Sequence, residues 1–125
     1  MNIKVAIASN DGVSVNEHFG RARTFMIYRF AAGEWEHLEN RENQPSCAGH
    51  EHNDDLLEQT AELIADCWGV VIVQIGPTAF DLLISRRVLP FVLDGSVEGA
   101  LKTLRGSKQF LKAVQRLEQS NANWL

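Results

Sequence analysis

Residues Gly69–Ile75 read GVVIVQI, a nearly continuous β-branched run. A run that is apolar on both faces is the mark of a strand covered on both sides, as in the parallel sheets of α/β proteins. Upstream, Leu56, Leu57, Thr60, Ala61, Leu63 and Ile64 recur at helical spacing with Asp55, Glu58 and Glu62 opposite, and Asn53 or Asp54 can cap that helix. Downstream, Gly76, Pro77 and Thr78 open a second helix running to Arg86, Leu89–Leu93 is the next strand, and Ser96–Leu104 is a helix with Val97, Ala100, Leu101 and Leu104 inward. Nearer the start, Ile3–Ala8 (IKVAIA) is a first strand closed by the turn chemistry of Ser9, Asn10, Asp11 and Gly12. Thr24–Phe30 and Glu34–Asn40 flank Ala31, Ala32 and Gly33 as an antiparallel hairpin whose acidic second arm ends at a solvated edge. This alternation predicts a three-layer α/β/α sandwich with a mixed sheet of about five strands.

The chain has 125 residues and 14.0 kDa, enough for one self-sufficient core and no second full domain. We place the domain at residues 1–106. Residues 107–125 form a helical extension on the same body, because Phe110, Leu111, Val114 and Leu117 recur at helical spacing over Lys108–Gln119. This tail leaves three roles open: covering a sheet face, mediating a homodimer, or contacting an acceptor. A net charge of −4 argues against a protein that coats nucleic acid or anionic membrane. The first apolar run is too short for a signal peptide or a membrane span, so a cytoplasmic protein is expected. Cys47 and Cys67 supply no disulfide framework and are expected as thiols, free or metal-bound.

Chemistry concentrates in a few places. Val15–Ala22 (VNEHFGRA) follows the first strand and its turn, which puts it near the carboxyl edge of the sheet, where ligands of α/β proteins usually bind. Phe19 can anchor this segment, Gly20 permits close approach of backbone, and Arg21 and Arg23 add positive charge beside the imidazole of His18. Two readings stand: a shaped loop with an exposed histidine, or a place that holds an anionic group and offers it a nitrogen ligand. Arg41–Asn53 reads as a mobile loop, and within it Cys47, His50 and His52 form C-x2-H-x-H, either incidental or able to bind a soft metal. Gly76–Thr78 is either an ordinary strand-to-helix turn or an anion cradle built from first-turn amides. Cys67, ending the first long helix next to Trp68, reads as a small core hydrophobe, and His37 as a surface residue among Glu36 and Glu39.

Enzyme readings find little support. The central strand carries no carboxylate for a two-metal nuclease, Asp11 stands alone after the first strand, and no Gly-rich phosphate loop or nucleophile elbow is present.

The turn Ser9–Gly12, the motif NEHFGRA at Asn16–Ala22, the Cys47–His50 loop and the Ile75–Pro77 strand end together resemble the small dinitrogenase iron-molybdenum cofactor biosynthesis family. That family includes NifX, NafY and the carboxyl-terminal domain of NifB, and the resemblance covers Ile3–Leu104. It implies a ribonuclease H-like fold whose second strand is antiparallel. It further implies a non-enzymatic carrier that binds, stores or transfers an iron-sulfur or iron-molybdenum cluster or its precursor, transiently enough that none is retained after aerobic purification. His18 would be the principal metal ligand, with Cys47, His50 and His52 as auxiliaries. Asn16, Gly20, Arg21, Arg23, Gly76 and Thr78 would complete the cluster-binding set, and the partners would be cluster donor and acceptor proteins. The chain lacks the three-cysteine radical motif of the longer NifB proteins, so it is not expected to synthesise the cluster. Two alternatives belong to other classes: a protein-interaction or regulatory module of the same fold, and a simple zinc or copper site at Cys47, His50 and His52.

Overall fold

The computed structural model describes residues 3–44, 47–48, 51–52 and 54–122. Five strands form one sheet: β1 (Ile3–Ala8), β2 (Thr24–Ala31), β3 (Glu34–Glu42), β4 (Gly69–Ile72) and β5 (Leu89–Val92), in the order β3-β2-β1-β4-β5. β2 runs antiparallel to both neighbours, while β1, β4 and β5 are mutually parallel, with Val5 opposite Gly69 and Gly69 opposite Leu89. The expected mixed sheet with an antiparallel second strand is therefore the one observed.

Alternation along β1 separates two cores. Ala6 and Ala8 face helices α1 (Asp54–Leu63) and α2 (Pro77–Ser85) through Ala61, Ala79 and Leu83, with Ile64 just past the end of α1. Ile3, Val5 and Ile7 face helices α3 (Val97–Arg105) and α4 (Lys108–Ala122) through Val97, Ala100, Leu101, Leu104 and Phe110. Helices on both faces make the three layers. Among the described residues, no helix is long and apolar enough to cross a membrane.

Local rules account for the joints. The β2–β3 loop has two residues, Ala32 and Gly33, both at positive φ (53° and 80°), the pattern of a tight hairpin turn that matches strand twist. The imperfect alternation of β3 comes from a bulge opposite Ile27 and Tyr28, which turns Leu38 toward the core and leaves His37 outside, stacked on Tyr28 at 5.0 Å. Gly69 has a packing reason, since a Cβ there would lie 2.9 Å from Phe91 Cε2 and 3.1 Å from the Leu89 carbonyl. Ser96 caps α3 by accepting from the Gly99 amide.

Four expectations need correction. The central strand ends at Ile72 rather than Ile75, because residues 73–74 leave the ladder and pair with the loop after β1. The first helix stops at Leu63, so Cys67 sits in the turn that leads into β4 rather than at the helix end. Residues 41–53 are not simply loop: β3 continues to Glu42, and Cys47–Ala48 pairs antiparallel with Glu51–His52. In α4, Phe110 is buried but Leu111 is half exposed, because the core is reached by only one residue of that first turn.

Candidate functional site

The parallel strands β1, β4 and β5 end at one margin, where β2 begins, so the loops that follow them meet there. After β1 the chain makes a turn built on Asp11. Its Oδ1 accepts from the amides of Val13 (2.8 Å) and Ser14 (2.9 Å) and from the Ser9 hydroxyl (3.1 Å), while the Ser9 hydroxyl accepts from the Gly12 amide. Those amides, Ser14's first, hold the Asp11 carboxyl below its usual range. Asp11 is thus occupied in shaping the turn. Asn16 braces the same loop, since its Oδ1 accepts from the Asn10 amide at 3.0 Å and its Nδ2 donates to Asn10 Oδ1 at 2.7 Å. Ser14–Val15 then pairs with Gly95–Ser96, tying this loop to the entry of α3.

Beyond Asn16 the loop is zipped onto the exit of the central strand. The Val73 amide donates to the Glu17 carbonyl at 3.1 Å and the Phe19 amide to the Gln74 carbonyl at 2.9 Å, with His18 bridged parallel to Gln74. Phe19 is 1% exposed and meets Phe25 at 6.1 Å between ring centroids. Successive side chains of an extended segment face opposite ways, so burying Phe19 turns His18 outward. The His18 ring is half-buried, and among the described residues it makes no hydrogen bond. Phe19–Arg21 closes as a single 3-10 turn, with the Arg21 amide on the His18 carbonyl at 3.0 Å.

Arg21 and Arg23 are exposed and have no ion-pair partner among the described residues, whereas Ala22 between them is buried. Gly20 lies inside the turn. Gly76 is the N-cap of α2 and Thr78 is in its first turn, both exposed and two to four residues past the bridge at Gln74. The open first-turn amides of α2 therefore face the margin that carries His18. Gly76 is extended, and a Cβ there would meet nothing within 4 Å, so packing within the chain does not call for glycine.

The Cys47–Ala48 strand lies against the Phe19–Arg21 turn. The side chains of Cys47 and His52, and all of His50, lie outside the described residues. Among the described residues, no group of three His, Cys, Asp or Glu side chains is placed to hold a metal ion. Cys67 is 3% exposed, and burial pushes its thiol up to about 12, which suits the core role read from its sequence context.

One part of the site escaped the sequence reading. Asn43 donates its amide N–H to the Arg23 carbonyl and its Nδ2 to the Ala22 carbonyl, both at 2.8 Å, and its Oδ1 is 3.0 Å from the hydroxyl of fully buried Thr60. It clamps the exit of the His18 turn to α1. The one signal for it was a threonine among the apolar positions of that helix, a polar atom that had to find a partner.

The family described as dinitrogenase iron-molybdenum cofactor matches residues 1–107. This chain belongs to that family. It is similar to protein NifY of Klebsiella pneumoniae, at 37% identity over 86 residues, which is 68% of this chain and 35% of that protein. It is also similar to the FeMo cofactor biosynthesis protein NifB of Herbaspirillum seropedicae, at 32% identity over 76 residues, 61% of this chain and 14% of that protein. The chain thus spans well under half the length of these relatives. Among solved structures it resembles PH0822 (TM-score 0.62, 22% identity, 83% of this chain and 91% of that one). It also resembles TM1290 of Thermotoga (TM-score 0.58, 22% identity, 85% and 90%). At that identity the likeness speaks for the fold alone.

Proposed function

We propose that this member of the family serves iron-molybdenum cofactor assembly as a non-enzymatic carrier, binding an iron-sulfur or iron-molybdenum cluster or its precursor and passing it from a donor protein to an acceptor. The observation that carries the reading is the His18 ring, turned outward by the burial of Phe19 and without a hydrogen-bond partner among the described residues. A preassembled cluster brings its own sulfides, so the protein needs to add only one or two soft or borderline ligands and some positive charge. His18 is the ligand in this proposal. Arg21 and Arg23 balance the negative charge of the cargo, and the first-turn amides at Gly76 and Thr78 accept its anionic periphery. Cys47, His50 and His52 are auxiliary ligands, supported by the position of the Cys47–Ala48 strand against the turn. A small ligand set also favours release, which a carrier requires.

Anaerobic reconstitution with a cluster donor tests the reading, scored by iron, molybdenum, acid-labile sulfide and the visible spectrum. We expect a coloured complex whose affinity for the cluster falls at least tenfold in His18→Ala, the loss of about 1.4 kcal/mol or more of binding. Uptake in Arg21→Ala/Arg23→Ala should fall less, and the deficit should shrink as salt rises. Equal uptake by His18→Ala would refute the assignment. Metal bound without sulfide, and lost in Cys47→Ser but not in His18→Ala, would mean a simple zinc or copper site instead.

A further inference from the structure

Charge is divided unevenly along the chain. Residues 1–101 hold seven Lys and Arg against fifteen Asp and Glu, whereas residues 102–125 hold five against one. The five are Lys102 and Arg105 at the end of α3, and Lys108, Lys112 and Arg116 on α4, all exposed. Lys108, Lys112 and Arg116 recur every fourth residue, so they line one face of α4 with a rise of about 6 Å per step. Among the described residues, Lys102 pairs with Glu98 of its own helix at 3.6 Å, and the other four have no ion-pair partner. Arg105 lies over the Phe30 ring at 5.6 Å. Leu111, half exposed, adds one apolar side chain to this part of α4. The family match ends at residue 107, immediately before α4.

We propose that the exposed face of α4 docks a protein partner through an acidic helix whose carboxylates are spaced one turn apart. Three observations favour that occupant over other anions. Among the described residues of α4, all but one of the apolar side chains a bilayer would take up are already used: Phe110 packs edge-on to Phe30 (5.0 Å) and Trp68 (5.6 Å), and Ala113 and Val114 rest on the same core, which leaves Leu111 by itself, too little to anchor in lipid. The rest of the chain is strongly acidic, so a long polyanion such as DNA or a charged membrane is repelled by the body while it is attracted by the tail. An acidic patch confined to one helix avoids that repulsion, and its i, i+4 carboxylates repeat at the same interval as the three cations.

The test is fluorescence anisotropy of a labelled synthetic helical peptide bearing Glu at every fourth position, titrated with the full chain. Saturable binding that weakens with salt is expected. The triple variant Lys108→Glu/Lys112→Glu/Arg116→Glu should weaken it by roughly tenfold or more, the milder Lys108→Gln/Lys112→Gln by less. Arg21→Ala/Arg23→Ala should bind the peptide as the parent does, which separates this surface from the cluster site whatever becomes of the carrier reading. Absence of saturable binding, equal binding of a scrambled peptide of the same composition, or an unaffected triple variant would overturn the proposal. Tighter binding to phosphatidylserine vesicles or duplex DNA would overturn it in favour of those partners. A sedimentation-detected dimer lost in the triple variant would replace the acidic helix by a second copy of the chain.

Discussion

Arg41 and the pair Arg21 and Arg23 lie in the same small domain and have opposite fates. Arg41 is 16% exposed and bridges three elements: Nη1 and Nη2 reach Asp66 at 2.6 and 3.0 Å, Nη1 also donates to the Leu63 carbonyl at the end of α1, and Nε donates to Glu39 on its own strand. Lys4 of β1 joins the same carboxylate at 3.1 Å. Arg41 holds Asp66 well below the usual carboxylate range, and Asp66 in turn raises Arg41. Arg21 and Arg23 stand in water on the His18 turn with no ion-pair partner among the described residues. The difference separates charge that locks the edge strand from charge left available to a visitor. A guanidinium satisfied within the fold has little to gain from a ligand, whereas an unpaired one keeps its full field.

The His18 turn is held by an apolar anchor, so Phe19→Ala should cost about 3–5 kcal/mol in urea unfolding. A loss under about 1 kcal/mol would mean that the turn is pinned some other way. Next, Arg41→Ala should cost roughly 1–3 kcal/mol, because it strips a bidentate pair and a helix-end carbonyl at once. Arg21→Ala/Arg23→Ala should stay within about 0.5 kcal/mol of the parent. Equal losses from the two variants would erase the distinction.

Smaller is the acid response. The depressed carboxyl of Asp66 contributes stability that is complete above the ordinary aspartate range and disappears as pH falls below it. Because Asp66 is 44% exposed, the contribution is about 1 kcal/mol after solvent screening. Asp66→Asn should therefore lower stability at neutral pH and flatten its decline in acid, and an unchanged acid limb would remove the lock from the account. Last, iodoacetamide at about pH 8 should leave Cys67 unmodified in the folded chain and alkylate it after unfolding, as read by peptide mass.

Much of the architecture was legible because it rests on local periodicity. IKVAIA, the hairpin around Ala32 and Gly33, and the β-branched GVVI each declare a strand, and the spacing of Val97, Ala100, Leu101 and Leu104 declares a helix that the structure buries on that face. The end of β4 was not legible. VVIVQI is β-branched at every position except Gln74, on both sides of the strand end, and only the arrival of residues 17–19 alongside Val73 and Gln74 divides sheet from site. Leu111 misled because helical spacing cannot say how wide a stripe the neighbouring layer covers. Asn16 sits inside the most telling motif, and its amide is used to brace Asn10. The bonds from Asn43 to Ala22, Arg23 and Thr60 join residues 17 to 21 positions apart, a distance at which pattern in one sequence carries no information.

What residue order determined by itself was the sequence of strands and helices, the two-faced burial of the central strand, the membership suggested by NEHFGRA, and the charge contrast between body and tail. Those follow from side-chain period, turn chemistry and composition, which act within a few residues of one another. Tertiary structure alone decided that His18 faces outward, that Arg41 is committed while Arg21 and Arg23 are not, and that the loop after β1 completes the ladder which the central strand abandons. Each of these depends on which distant segment arrives to accept a hydrogen bond or cover a ring, and that is settled only when the layers pack.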